Sequence, residues 1–298
     1  MRSQRTIKKE LTFEGLGLHT GVHTKVRLRP ASVDTGIVFH RVNKNASFSA
    51  QVGSVIDTAF ATTIGNERAR VRTVEHLLAT LSALSIHNLN IEVDGPEIPI
   101  LDGSAIQIAE LILSAGIKKQ KKKMPYIRIL APIVLEDTHS SVAIYPYEGR
   151  KITFRLFFKN HFLGEQSMSL DLSEDTFIQE IASARTFGFL KDVEYLRANG
   201  LAKGGSLDNA VIFSATHVVN ESGLRYADEC VRHKILDSIG DFSLIPLPIE
   251  GHIVADKSGH TTNIRFLKKL LSCRECWEIA NDEVEKEACP VLSYSYIY

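Results

Sequence analysis

The chain has 298 residues, 44% of them apolar and 23% charged, which suits a globular protein long enough for two domains. Lysine plus arginine equals aspartate plus glutamate at 35 each, so no global basic field exists to gather nucleic acid, and no nucleic-acid partner is expected. The basic N-terminus MRSQRTIKKELTF leads into no apolar run, and no stretch approaches the roughly 20 apolar residues of a membrane span. A cytoplasmic monomer without a stable membrane anchor is the expectation.

Four cysteines occur, Cys230, Cys273, Cys276 and Cys289. Such sparse usage fits a reducing compartment. Cys273 and Cys276 have CxxC spacing, but a zinc ribbon needs a second such pair, and unpaired thiols are expected instead.

In chain order, residues 6–30 predict a β-hairpin around Gly15-Leu16-Gly17-Leu18-His19-Thr20-Gly21. His19 in that loop is either a turn residue or a site residue. Short strands follow around Gly36–Val42 and Ser47–Val55. Arg72–Leu84 reads as an amphipathic helix, with Val74, Leu77, Leu78, Leu81 and Leu84 recurring at three and four. Asn88–Val93 alternates as a strand. It runs into a loop rich in proline and glycine, after which Ser104 is placed to cap a helix over Ile106–Ala115.

The lysine-rich run Lys118–Pro125 reads as a solvated linker. It divides an N-terminal domain over 1–120 from a C-terminal domain over 126–285, with 286–298 as a tail. The second half restarts with strands at Tyr126–Leu130, Ser141–Tyr145 and Lys151–Phe158, and Ser173 is placed to cap a helix over Glu174–Ala182. Its order of elements resembles that of the first half. From Phe189 to Phe213 the pattern is β-α-β, with apolar Leu190, Val193, Leu196, Ala202, Ala210 and Ile212 facing inward. That stripe is either ordinary core or the lining of a passage for an acyl chain.

A helix over about Ala227–Gly240 is the most informative stretch. Its residues His233, Asp237 and Asp241 stand four apart, about one turn or roughly 6 Å of rise each, so they share one stripe. An imidazole and a carboxylate at that spacing are half of a zinc site, though the same spacing also describes an ordinary polar helix face. His76 supplies a third candidate ligand, giving His76, His233 and Asp237. Glu75, adjacent to His76 but pointing about 100° away, becomes a base beside the ion. Lys234 is a cation beside the metal. His260, presented after Gly259 at a strand end, becomes a second acid-base group that Asp241 can keep protonated. A strand over Gly251–Ala255 precedes His260, and a helix over Asn263–Leu271 follows it.

Six segments, in order, carry a resemblance: GLGLHTG at 15–21, TVEHLLA at 73–79, EIPILDGSA at 97–105, SARTFGF at 183–189, VRHKILDSIGD at 231–241 and KSGH at 257–260. Together they resemble the UDP-3-O-acyl-N-acetylglucosamine deacetylases, the zinc hydrolases of lipid A biosynthesis. The resemblance implies an α+β fold of two similar domains, each of helices packed against β-sheet with a small insert, and an active site in the interdomain cleft. It implies one catalytic Zn2+ (Fe2+ would also suit His/His/Asp) on His76, His233 and Asp237. Glu75 would be the base, Thr186 an oxyanion partner, Lys234 a contact to substrate phosphate and His260 the catalytic histidine, with Asp241 behind it. Phe187 and the 189–213 insert would receive the hydroxyacyl chain, with Leu18, Leu190, Val193, Ala202, Ser206, Ala210 and Ile212 as contacts. Lys257 would favour the diphosphate. The implied partner is acylated UDP-N-acetylglucosamine.

One departure stands out. Family members often place a uracil-stacking aromatic before the Asn-His pair, whereas here Asn160-His161 is flanked by Lys159 and Phe162, leaving Phe158 to supply the contact. Rival readings are a zinc amidohydrolase acting on another acetamido sugar, and a non-catalytic nucleotide-sugar or lipid binder. Intact Glu75 argues against the second, because a pure binder needs no base.

Overall fold

The computed structural model describes residues 2–159 and 162–281. The first half holds β1 (Ser3–Ile7), β2 (Leu11–Leu16), β3 (His23–Pro30), β4 (Ile37–Arg41) and β5 (Ala46–Ser49). Three short strands follow, β6 (Val55–Asp57), β7 (Thr63–Gly65) and β8 (Arg70–Val71). Helix α1 (Glu75–Ala83), β9 (Leu89–Val93), α2 (Ile106–Ala115) and β10 (Ile117–Lys123) complete it. The second half opens with β11 (Tyr126–Ile129), β12 (Ile133–Glu136), β13 (Ser141–Tyr145), β14 (Arg150–Phe157) and β15 (Glu165–Asp171). Next come the single turn α3 (Glu174–Thr176), β16 (Phe187–Phe189), α4 (Leu190–Ala198) and β17 (Val211–Phe213). Helix α5 (Glu229–Phe242), β18 (Ile249–Asp256), α6 (His260–Ser272) and β19 (Trp277–Ala280) close the described chain.

The two main sheets share one plan. In the first, the order is β2-β3-β9-β4-β5, and only the β9/β4 pair is parallel. In the second, β12-β13-β18-β14-β15 repeats that order, and among these five only the β18/β14 pair is parallel. Strands β11 and β19 extend it at the start of β18. In each half, two hairpins come first, then a crossover through a helix, then the central strand. A parallel neighbour requires such a crossover. The crossover helices are α1 and α5, and they pack against each other. The fold is therefore two α+β regions, each with helices on a sheet, joined through equivalent helices.

That packing explains the burial of α1. It is buried nearly all round, Ser82 being its one partly exposed residue, rather than amphipathic, because its sheet covers one side and α5 the other. It also starts at Glu75 rather than Arg72, since Thr73 has φ +57°, a left-handed backbone that no helix tolerates. Gly240 of α5 sits directly on α1: a Cβ there would lie 2.1 Å from the Glu75 carbonyl oxygen.

Three other expectations meet a different outcome in whole or in part. The lysine-rich run is no linker but strand β10, antiparallel to β1, with Arg5 opposite Lys119. Exposed lysines are tolerated there because they guard an edge strand. Ser104 stands one residue before the N-cap, Ala105; its hydroxyl accepts from the first-turn amide of Ile106 at 3.4 Å and donates to Asp102 Oδ1 at 2.8 Å. Ser173 does cap, with reciprocal bonds to Thr176, but the helix continues as a π-turn over Phe177–Ile181. The segment after Leu271 supplies β19. Cys230, Cys273 and Cys276 are free thiols, and Cys289 lies outside the described residues.

Gly240→Ala is expected to cost about 1–3 kcal/mol by overpacking, read as a fall in the urea midpoint without a change in slope.

Candidate metal centre

The first turn of α1 and the middle of α5 meet, and each brings its polar residues to the same point. His76 Nε2 lies 3.6 Å and His233 Nε2 3.4 Å from Asp237 Oδ1, and the two imidazoles stand edge-to-face with centroids 5.0 Å apart. Zinc bonds of about 2.0–2.1 Å in a tetrahedron imply ligand edges of about 3.3–3.4 Å. The two edges at Asp237 thus need to close by only a few tenths of an ångström, and all three donor atoms lie within 4.8 Å of one another. The second donor group, Glu75, Asp237 and His260, shares Asp237 with the first, so the two describe one centre. The residues fit a single divalent ion such as Zn2+.

The protonation states suit this. His233 Nδ1 is 3.1 Å from the Ala184 carbonyl, which can only accept, so Nδ1 carries the proton and Nε2 presents its lone pair. Burial pushes the His233 pKa down to about 4, keeping the ring neutral. Burial alone would raise the Asp237 carboxyl, but Lys234 Nζ at 2.8 Å, with the neighbouring histidines, holds it well below the usual range. The same contact overcomes the effect of burial on Lys234 and raises its pKa.

Opposite the ligands stand Glu75 and His260. Burial raises the Glu75 pKa to about 7, against the pull of His260 and His76. Its Oε2 accepts from the Thr62 amide at 3.1 Å. His260 is largely covered, its side chain 10% exposed, yet its pKa rises to about 9 because Asp241, then Glu75 and Asp237, favour the cation. His260 Nδ1 donates to Asp241 Oδ2 at 2.9 Å, leaving Nε2 3.9 Å from both Glu75 Oε1 and Asp237 Oδ2. Fully buried Asp241 also accepts from the Thr62 hydroxyl (2.5 Å) and the Asn263 amide (2.9 Å). Thr62 and Asn263 carry no sequence signal, because each reaches Asp241 across 179 and 22 residues respectively.

These three histidines, three carboxylates and one lysine lie within a stretch that matches a family model. Residues 4–272 match the model for UDP-3-O-acyl N-acetylglycosamine deacetylase. The chain belongs to this family. It is 49% identical over 282 residues to the UDP-3-O-acyl-N-acetylglucosamine deacetylase of Thermodesulfovibrio yellowstonii, covering 95% of this chain and 96% of the relative. The Syntrophotalea carbinolica deacetylase is 46% identical, covering 93% and 90%. That of Acidithiobacillus ferrooxidans is 44% identical, covering 97% and 96%.

The remaining family-implied positions fall on the segment before α5, the insert, the glycine-rich loop and the end of β18. Thr186 lies between Ala184, which binds His233, and Phe187, whose ring is 6.2 Å from the His233 ring. A buried ion pair fixes this segment: Arg185 Nε and its own amide both reach Glu229 Oε1, at 2.9 and 3.0 Å, in the first turn of α5. The insert forms a parallel β16/β17 pair with α4 between them. Helix α4 has no buried residue. Leu190 is 52% exposed, and Val193, Ala202 and Ile212 are half-buried. Ala210 is buried and Ser206 exposed. The α4–β17 loop docks on the glycine-rich loop of the first half, Gly204 donating to the Leu18 carbonyl at 3.0 Å and Lys203 to that of His19 at 3.2 Å. A Cβ on Gly204 would lie 2.3 Å from the Gly17 carbonyl oxygen.

His19 is buried, and neither ring nitrogen has a hydrogen-bond partner among the described residues; burial lowers its pKa. Its loop is tied by Glu97, which accepts from His19 and Thr20 amides and from both Thr20 and Thr73 hydroxyls. Lys257 Nζ lies 3.9 Å from Asp256 Oδ1 and 5.7 Å from the Phe157 ring centroid. Phe158 packs edge-on against Phe187 and Phe189, so it is engaged within the aromatic cluster of the insert. Asn160 and His161 lie outside the described residues.

Asp241→Asn removes the anion that most favours the His260 cation. The His260 imidazole should then titrate well below about 9, as followed by NMR on the metal-free chain; an unchanged midpoint would assign the shift to Glu75 and Asp237 instead.

Proposed function

We propose that this chain removes acetate from the 2-acetamido group of UDP-3-O-(3-hydroxyacyl)-N-acetylglucosamine, the committed step of lipid A biosynthesis. The observation that carries the reading is the meeting of Glu75 and His76 of α1 with His233 and Asp237 of α5, across from His260, within a chain of the deacetylase family.

His76, His233 and Asp237 would hold the ion. Bound zinc supplies Lewis acidity toward the amide carbonyl and lowers the pKa of water toward about 7. Glu75 acts as the base that takes the proton of the attacking water. The Thr186 hydroxyl donates to the carbonyl oxygen as it becomes negative. An amine leaves only when protonated, and cationic His260, oriented by Asp241, is placed to give that proton or to stabilise the negative oxygen. Lys234 orders Asp237 and, on the substrate side, takes a phosphate oxygen, with Lys257 favouring the diphosphate. Phe187, Leu18, Leu190, Val193, Ala202, Ser206, Ala210 and Ile212 receive the acyl chain. Exposed apolar side chains on α4 support a role in meeting an apolar ligand.

The same reading assigns residues 1–120 and 126–285 to two domains, with 286–298 as a tail, and treats the chain as a cytoplasmic monomer without a nucleic-acid partner. No described helix is long and apolar enough to cross a membrane.

Acetate release is expected from the acylated sugar nucleotide and not from unacylated UDP-N-acetylglucosamine. Glu75→Ala should lose about 10²–10⁴-fold in kcat at matched zinc content. No release by fully zinc-loaded wild type would end the hydrolase reading.

The pH profile follows from the two titrating groups. Glu75 must be deprotonated, so kcat/KM rises as pH passes its pKa of about 7. His260 must be protonated, so activity falls as pH passes about 9. A bound dication moves both limbs downward. His260→Gln should abolish the descending limb; a limb that persists would assign it to another group.

A further inference from the structure

Helices α1 and α5 have a second face. At about 100° per residue, Ile239 and Phe242 point roughly opposite to the stripe of His233, Asp237 and Asp241. With Leu78 and Leu81 of α1 they form the apolar floor of a cavity of about 550 Å³ between the two sheets, behind the metal centre. That volume falls within the range of small-molecule sites, about 300–1,000 Å³.

The rim is cationic. Arg2, Arg5, Arg150, Lys119 and Lys151 line the cavity, against one carboxylate, Glu174. Arg5 is paired with Glu174, and Arg2 with Glu250 outside the lining. Arg150 differs. It donates to the Ser82 hydroxyl at 2.9 Å and to the Ser82 carbonyl at 3.3 Å, and no carboxylate of the described residues lies within ion-pair distance. Burial and the nearby Arg2 charge lower its pKa to about 10, so it stays charged at neutral pH at a cost in hydration. A guanidinium held by neutral partners at the wall of an apolar cavity is half of a charge-assisted pair. Its planar fork matches the two oxygens of a phosphate or carboxylate.

We propose that the cavity behind α1 and α5 is a second ligand site, taking a small anionic amphiphile whose phosphate or carboxylate binds Arg150 and whose apolar part lies on Leu78, Ile239 and Phe242. The site does not depend on the reading of the metal centre, since none of its residues faces that centre. Its ligand would touch the backs of both helices that carry the metal-facing residues.

Calorimetry on the zinc-loaded full chain tests this with four probes: decyl phosphate, decanoate, decanol and inorganic phosphate. Saturable binding is expected for decyl phosphate, decanoate or both, the comparison telling a phosphate head from a carboxylate. Decanol and inorganic phosphate should bind at least about tenfold more weakly. Arg150→Gln should weaken the anionic amphiphile about tenfold or more, the scale of a lost charge-assisted bond. Since Arg150 also braces Ser82, Lys119→Glu on an exposed strand position gives an independent test that does not touch the core, with several-fold weakening expected. Amphiphile bound at the metal centre would be indifferent to both substitutions. Binding unchanged in Lys119→Glu and in folded Arg150→Gln overturns the proposal. So does inorganic phosphate binding as tightly as decyl phosphate, or the absence of amphiphile binding altogether.

Discussion

The backbone-to-backbone contact of Gly240 with Glu75 is the constraint on which the rest of the structure depends. A residue with no Cβ lets α5 approach α1 until a side-chain carbon would collide with a carbonyl oxygen. Without that approach, neither helix alone can gather a metal site: α1 has one imidazole at its start and α5 has one imidazole and a carboxylate. The two helices are the equivalent crossovers of two sheets with the same strand order, so the site forms where the two halves of the plan touch. A duplicated fold thus yields an asymmetric centre, because the two copies of the crossover carry different polar residues.

Packing helices this closely buries charge. Glu75, Asp237 and Asp241 are each at most 5% exposed, and three carboxylates in a small volume would repel strongly at low dielectric. The structure meets this with a different answer for each. Asp237 is paired with Lys234, and Asp241 is saturated by His260, Thr62 and Asn263. Glu75 has one amide donor and a pKa near neutrality. The least satisfied carboxylate is the one best suited to exchange a proton. Strain is placed nearby in the same economical way: Thr73, a β-branched residue in a left-handed backbone just before α1, is held by its bond to Glu97.

Short-range patterns made much of this legible. The i, i+4 stripe of α5 and the adjacency of Glu75 and His76 are local, and the helical period alone places them on known faces. The β-α-β insert was legible from alternation and glycine punctuation. What the sequence does not display is anything made by long-range pairing. The Ala184 carbonyl that sets the His233 tautomer, the Thr62 amide on Glu75 and the Asn263 amide on Asp241 are ordinary residues given meaning by distant partners. The lysine run misleads because composition reports solvation, while strand pairing depends on backbone hydrogen bonds that lysine supplies as well as any residue. The insertion of β9 and β18 at the centres of their sheets leaves no trace in local pattern either.

Strand β19 has a consequence of its own. The sequence has one tryptophan, and it sits in this strand, paired with Ile129, its Nε1 donating to the Leu270 carbonyl at 2.8 Å and its ring beneath the Arg274 guanidinium. The indole is 7% exposed and lies just past the family-matched segment. The protein therefore carries a built-in optical label on a single peripheral strand. Its emission reports whether that strand is docked on the second sheet and against α6.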